Sequence, residues 1–168
     1  MKTPVFMCLF SFTVLASAQT QTLSEKSTVV ATIAATPAIH LVWMGGNDCP
    51  PCVAWRKDEL PKLQNSEAFK GVTFSYVTKV IRSPVPSSFF LPSEVKPFKE
   101  KLDYASSGRS GSPQTALIVN GEIYDYFSGV RDAAQIQTML DAVRNDTKYP
   151  FLRCVKMSTE RGKCEITK

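Results

Sequence analysis

The chain has 168 residues, 43% of them hydrophobic, with 20 Lys and Arg against 15 Asp and Glu for a net charge of +5; that is material for one domain with its own core. The cations are scattered and never massed into a basic tract, so the composition excludes a nucleic-acid partner of the usual kind and reads as ordinary solubility.

Residues 1–18, MKTPVFMCLFSFTVLASA, combine one Lys, an apolar stretch from about Val5 to Leu15 and the small-residue pattern Ala16-Ser17-Ala18. They read as a cleaved secretory signal, because the apolar run is well short of the roughly 20 residues that span a bilayer. Cys8 would leave with it. Processing leaves 150 residues, a net charge of +4 and four cysteines, Cys49, Cys52, Cys154 and Cys164. The compartment expected is extracytoplasmic, of the periplasmic type, where disulfides persist. Residues 19–27 are polar and aperiodic, a leader without structure of its own.

From Thr28 the pattern changes. TVVATIAA is β-branched and small, a first strand, and after Thr36-Pro37 the run AIHLVWM (38–44) has the continuous hydrophobicity of a central strand covered on both faces. Gly45-Gly46-Asn47-Asp48 turns the chain into CPPCVAWRKDEL. Pro51 suits a first helical turn, where its missing N–H costs little, and Pro61 should end or kink the helix. VTFSYVTKVI (72–81) reads as the next strand, followed by the Pro/Ser/Phe segment RSPVPSSFFLPSE and a short helix at about 94–105. QTALIV (114–119) and EIYDYF (122–127) flank Asn120-Gly121, a strong two-residue hairpin signal. In RDAAQIQTMLDAVR, Ile136, Met139, Leu140 and Val143 recur at helical spacing and predict an amphipathic helix packed on the sheet. The order implies an α/β sandwich with a mixed central sheet flanked by helices, in one domain over 28–145 and an extension over 146–168.

Cys49 and Cys52 lie where this order places a helix start. A thiolate there is stabilised by unsatisfied N–H groups and the helix dipole, and an ordinary thiol, with a pKa of about 8.5, needs such help at neutral pH. The two-residue spacing puts Cys52 one turn inside, in reach of a mixed disulfide on Cys49. Cys49 is therefore expected to be both ionised and reachable. Pro50 and Pro51 remove two backbone donors from the active-site loop, which weakens support for the thiolate and points toward a reducing character, while their stiffness opposes this by favouring one ring geometry. The same pair could instead be a structural staple, or half of a site for a soft metal such as copper or zinc.

The strand VWM running into CPPC at a helix start, followed by Ser112-Pro113 just before the QTALIVNGEIYDYFSG hairpin and a last helix, resembles the thioredoxin superfamily over roughly residues 28–145. With the signal segment it looks most like the exported thiol-disulfide oxidoreductases. The resemblance implies a thioredoxin-like sandwich, with Cys49 as nucleophile, Cys52 as resolving thiol and Pro113 as a cis-proline that, with Ser112, holds the substrate backbone. It implies no bound cofactor or metal. The partners it implies are protein thiols and disulfides of the exported compartment, with a membrane redox partner as a further candidate and a monomer as the working form. Two departures stand out: the strand before the motif offers only His40 where cytoplasmic relatives carry a buried acid, and the path to Pro113 is longer, with the excess at about 82–93.

Outside the resemblance, Cys154 and Cys164 bracket a polar turn and are expected to form a structural disulfide, worth roughly 2.5–3 kcal/mol in the chain-entropy model; a second redox pair is the alternative. Trp43 and Trp55 either border the site or pack in the core. His40 reads as a hydrogen-bonded packing element, and Phe89, Phe90 and Leu91 as an apolar patch or a buried one. Lys57, Asp58 and Glu59 read as a solvated helix face, and Asn145-Asp146-Thr147 matches a glycosylation acceptor.

Overall fold

The computed structural model describes residues 36–158, 160 and 163–165; the signal segment, the leader and the strand expected at 28–35 lie outside them. Strand β1 (Ile39–Gly45) is buried along its whole length. It pairs in parallel with β2 (Thr73–Thr78) and antiparallel with β3 (Gln114–Val119). With strands on both edges and packing on both faces, β1 has no solvent side, which is why its sequence carries no alternation. β4 (Glu122–Ser128) returns on β3, giving the order β2-β1-β3-β4. Asn120 and Gly121 turn that hairpin with φ of 51° and 84°, the positive values a primed turn demands.

Side chains of β1 alternate between two cores. On one face Leu41 and Trp43 pack with Trp55 of helix α1 (Pro50–Asp58), Leu63 of α2 (Leu60–Gln64) and Ile136, Met139 and Leu140 of α4 (Ala133–Arg144). On the other, Val42 and Met44 meet Leu102 and Ala105 of α3 (Lys99–Ser106), together with Val85, Leu91 and Met157 from irregular segments. This is the mixed sheet flanked by helices expected of a thioredoxin-like sandwich.

The interruption expected at Pro61 is present: α1 ends at Asp58, the chain breaks at Glu59, and Pro61 sits in the first turn of α2, where it removes no helical hydrogen bond. One local reading changes. Glu59 itself is not solvated like Lys57 and Asp58: its carboxylate accepts from Ala133 N at 2.9 Å, the first amide of α4, and from Lys62 Nζ at 2.6 Å. Those two bonds, the amide first, hold its carboxyl below the usual range. Asp132 and Gln135 complete a reciprocal capping box on the same helix, satisfying its leading amides.

The C-terminal extension lies along the β4 edge. Tyr126 N donates to Cys154 O at 2.6 Å and Met157 N to Ala105 O at 2.8 Å, while a single antiparallel bridge joins Met157 to Cys164. Cys154 and Cys164 are disulfide-bonded with Cα atoms 5.6 Å apart, so the extension is closed on itself and covers a strand edge that would otherwise be open to pairing. In the 82–93 segment the apolar residues divide: Leu91 is buried, while Phe89 and Phe90 are 85% and 70% exposed.

Candidate active site

The parallel pair β1–β2 carries both strands to the same end of the sheet, and the Cys49 loop leaves β1 there. Cys49 is the N-cap of α1 in extended conformation, with Pro50 and Pro51 as the first two helical residues. Its carbonyl accepts from Cys52 N at 2.9 Å and Val53 N at 3.1 Å. A helix start ordinarily leaves several amides unspent, but here two are absent because they belong to prolines and the next two are turned onto the Cys49 carbonyl. Cys49 and Cys52 form a disulfide with Cα atoms 5.2 Å apart.

Packing around the pair is tight. Trp43 stacks on Trp55 with centroids 4.8 Å apart and on Tyr76 at 5.1 Å, and both tryptophans join the core that holds the two cysteines. Trp55 Nε1 donates to Arg131 O at 2.7 Å. A Cβ on Gly45 would lie 2.6 Å from the Trp43 ring and 2.9 Å from Cys52 Sγ, which explains why the chain has no side chain there. The expectation of a reachable Cys49 meets a correction in this oxidised state: both cysteines are 0% exposed. The helix start positions the sulfur as expected, but the sulfur is buried in the core that also holds Trp43 and Trp55.

Ser112-Pro113 arrives from the other side. Gln114 pairs with Met44, so Pro113 sits next to the end of β1 from which the cysteine loop departs. The Ser112–Pro113 bond is cis. Gly129 N donates to Pro113 O at 3.0 Å, and Ser112 Oγ is buried without a hydrogen-bond partner among the described residues.

Behind this loop lies a residue that the sequence reading passed over as the tail of a strand. Lys79 is 4% exposed, and its ammonium donates to Gly111 O at 2.6 Å and Gln114 Oε1 at 3.1 Å. Gln114 also accepts from Tyr126 OH at 3.0 Å and donates to Arg109 O at 3.1 Å. Lys79 thus ties the end of β2 to the loop leading into Pro113. Burial pushes its pKa down from 10.5 to about 8. An unfolded chain then binds the extra proton between those values, so stability should rise with pH across the window 8 to 10.5 by roughly 3 kcal/mol. Tyr126 and Tyr149, raised chiefly by burial from an ordinary 10.0, work against this above that pH, since the unfolded phenols ionise first. Subtracting the urea-denaturation profile of Lys79→Met from that of the wild type isolates the lysine contribution.

His40 is at the other end of the sheet, paired with Thr73 where β2 begins. Its Nε2 lies 2.9 Å from Ser75 Oγ, which donates to Glu94 Oε1 at 2.9 Å; with that hydroxyl proton spent, the imidazole donates to the serine and activates nothing. Burial lowers its pKa, partly offset by Glu94. It is a packing element. Among the described residues no group of three or more His, Cys, Asp or Glu is placed to hold a metal ion.

No family model matches the chain, and no curated protein matches it. Among solved structures, a thiol:disulfide interchange protein, thioredoxin family protein, from Chlorobium tepidum TLS is similar over 63% of this chain and 79% of its own, with a TM-score of 0.45 and 18% sequence identity.

Proposed function

We propose that the protein is a thiol-disulfide oxidoreductase that exchanges electrons with exported protein substrates through Cys49 and Cys52. The observation that carries this reading is the disulfide between a helix N-cap and the residue one turn inside it, at the sheet end where the Ser112-Pro113 loop also arrives. In the reducing direction the Cys49 thiolate attacks one sulfur of a substrate disulfide. A Cys49–substrate bond forms, the substrate bond breaks, and one substrate thiolate leaves and takes up a proton. Cys52, having lost its proton to solvent, then attacks Cys49 Sγ, re-forming the internal disulfide and releasing the second substrate thiolate. Two electrons pass to the substrate; the reverse sequence oxidises a dithiol.

Soft-metal binding by the same thiolates is less well supported, since the two sulfurs have no third ligand beside them among the described residues. The test is insulin reduction under dithiothreitol: the protein should accelerate precipitation of the B chain catalytically, and a rate equal to that without protein would sink the proposal. Iodoacetamide labelling of the reduced form bears on the enclosure of Cys49, which should become modifiable once the disulfide is opened.

The paired prolines set the expected direction of poise. With no amide at the first two helical positions, a reduced Cys49 lacks donors that would stabilise its thiolate and hence the reduced form. Replacing Pro51 with alanine restores one N–H and should shift the pair toward the oxidising side by about 30 mV, the worth of one charge-assisted hydrogen bond. Equilibration with glutathione buffers measures it.

A further inference from the structure

A substrate sulfur can reach Cys49 while its backbone lies against Ser112-Pro113 only if the two loops keep a fixed gap, and one residue touches the approach to both. Lys79 follows Thr78, the last residue of β2. Its main chain meets the turn before the cysteines. Lys79 N donates to Gly45 O at 3.1 Å, and a Cβ on Gly46 would stand 2.3 Å from Lys79 O. Its side chain meets the other loop, where the ammonium donates to Gly111 O at 2.6 Å and to Gln114 Oε1 at 3.1 Å. Gly111 and Gln114 bracket Ser112-Pro113 in the chain.

The loop itself is lightly packed. Gly111 has a φ of 115° and nothing within 4 Å of the place a Cβ would take, and Ser112 Oγ has no hydrogen-bond partner among the described residues. Gln114 Nε2 fixes Arg109 O at one end and Gly129 N fixes Pro113 O at the other; between them the bond from Lys79 fixes Gly111 O. Lys79 is 4% exposed, and burial lowers its pKa to about 8, so at neutral pH the fold keeps a charge that desolvation disfavours. A methionine would bury a similar stem without that penalty. What the charge adds is a short, directional, charge-assisted bond to a backbone carbonyl, which packing alone does not supply.

Resting on the oxidoreductase reading above, we infer that Lys79 is a positioning residue: by holding Gly111 O against the end of β2 it sets the gap between Cys49 and Ser112-Pro113, and so favours polypeptide disulfides over small ones. A polypeptide must place its sulfur and its extended backbone at once, so a small misplacement of either loop weakens its fit. A small disulfide has no backbone to place.

The test compares kcat/KM for insulin with kcat/KM for 2-hydroxyethyl disulfide, each with dithiothreitol as reductant and with the rate lacking protein subtracted. Their ratio cancels any loss of folded protein, which is all that a merely structural role would produce. Lys79→Met should lower the ratio about tenfold, through a raised KM for insulin and with kcat for insulin changed less than about twofold. Gly111→Ala strains the same carbonyl's peptide at an open surface position and removes nothing from the core. It should lower the ratio in the same way, and it decides the matter if the lysine variant does not fold. A wild-type ratio in either folded variant overturns the inference and leaves the oxidoreductase standing. Wild-type protein that turns over neither disulfide overturns the redox reading and the role of Lys79 with it.

Discussion

Replacing Asp125 with alanine should cost about 3–5 kcal/mol, the penalty for breaking a buried ion pair from one side, and leave little of a typical domain's stability of about 5–15 kcal/mol. Its carboxylate is 0% exposed and joins three separate parts of the chain. Oδ1 accepts from Cys154 N at 2.9 Å, and Oδ2 accepts from Arg131 Nη1 and Tyr149 OH, each at 2.9 Å. The guanidinium it neutralises is held between the rings of Phe127 and Phe151, 3.7 and 4.1 Å from their centroids. Without Asp125 that cation stays in an apolar slot, and the Cys154 amide and Tyr149 hydroxyl lose their acceptor. Tyr149, its pKa raised by burial first and by Asp125 second, remains a neutral donor throughout the physiological range. Combining Asp125→Ala with Arg131→Met removes the stranded charge and should recover part of the loss, so the double-mutant cycle in urea gives a coupling well above that of a surface pair. An unchanged midpoint for the single variant would show that the hub contributes nothing.

Serine at either active-site cysteine should abolish turnover, but in distinguishable ways. On the proposed mechanism Cys49→Ser removes the atom that forms the first bond to substrate, so insulin reduction should fall to the uncatalysed rate, a loss of at least about 10³-fold given the intrinsic difference between a thiolate and a hydroxyl. Cys52→Ser leaves the first attack intact and removes the second. It should accumulate a mixed disulfide that non-reducing gels and mass spectrometry detect, at Cys49 and nowhere else. The order proposed follows from Cys49 being the N-cap and Cys52 lying one turn inside, close under Gly45. If Cys52→Ser trapped nothing while Cys49→Ser did, the two roles would be exchanged. The enclosure of both sulfurs in the oxidised form adds an expectation, that exchange starting from the disulfide is slower than attack by the reduced protein.

Much of the frame was legible because it depends on neighbours in the chain. The unbroken apolar run 38–44, the Asn120-Gly121 turn between two strands, and the helical spacing of Ile136, Met139, Leu140 and Val143 each encode a local geometry, and each element forms where expected. Pro51 likewise points to a helix start by the fixed φ and missing N–H of proline. Lys79 and Asp125 read as strand residues, Arg131 as part of a helix and Glu59 as solvated. Each owes its role to a partner more than five residues away, and no periodicity signals that; the one available hint was Asp125, a charged residue inside an otherwise apolar and aromatic strand.

What the amino-acid order determined by itself was the set of elements and the placement of two thiols one helical turn apart, because backbone preference and short-range spacing are decided within a few residues. Tertiary structure alone decided how the site is equipped. It buried both sulfurs in the core that also holds Trp43 and Trp55, set an ammonium against the loop leading to Pro113, and gathered Arg131, Tyr149 and the Cys154 amide around the Asp125 carboxylate. Burial and electrostatic environment depend on which surfaces the fold brings together, and those distances are not written in sequence separation.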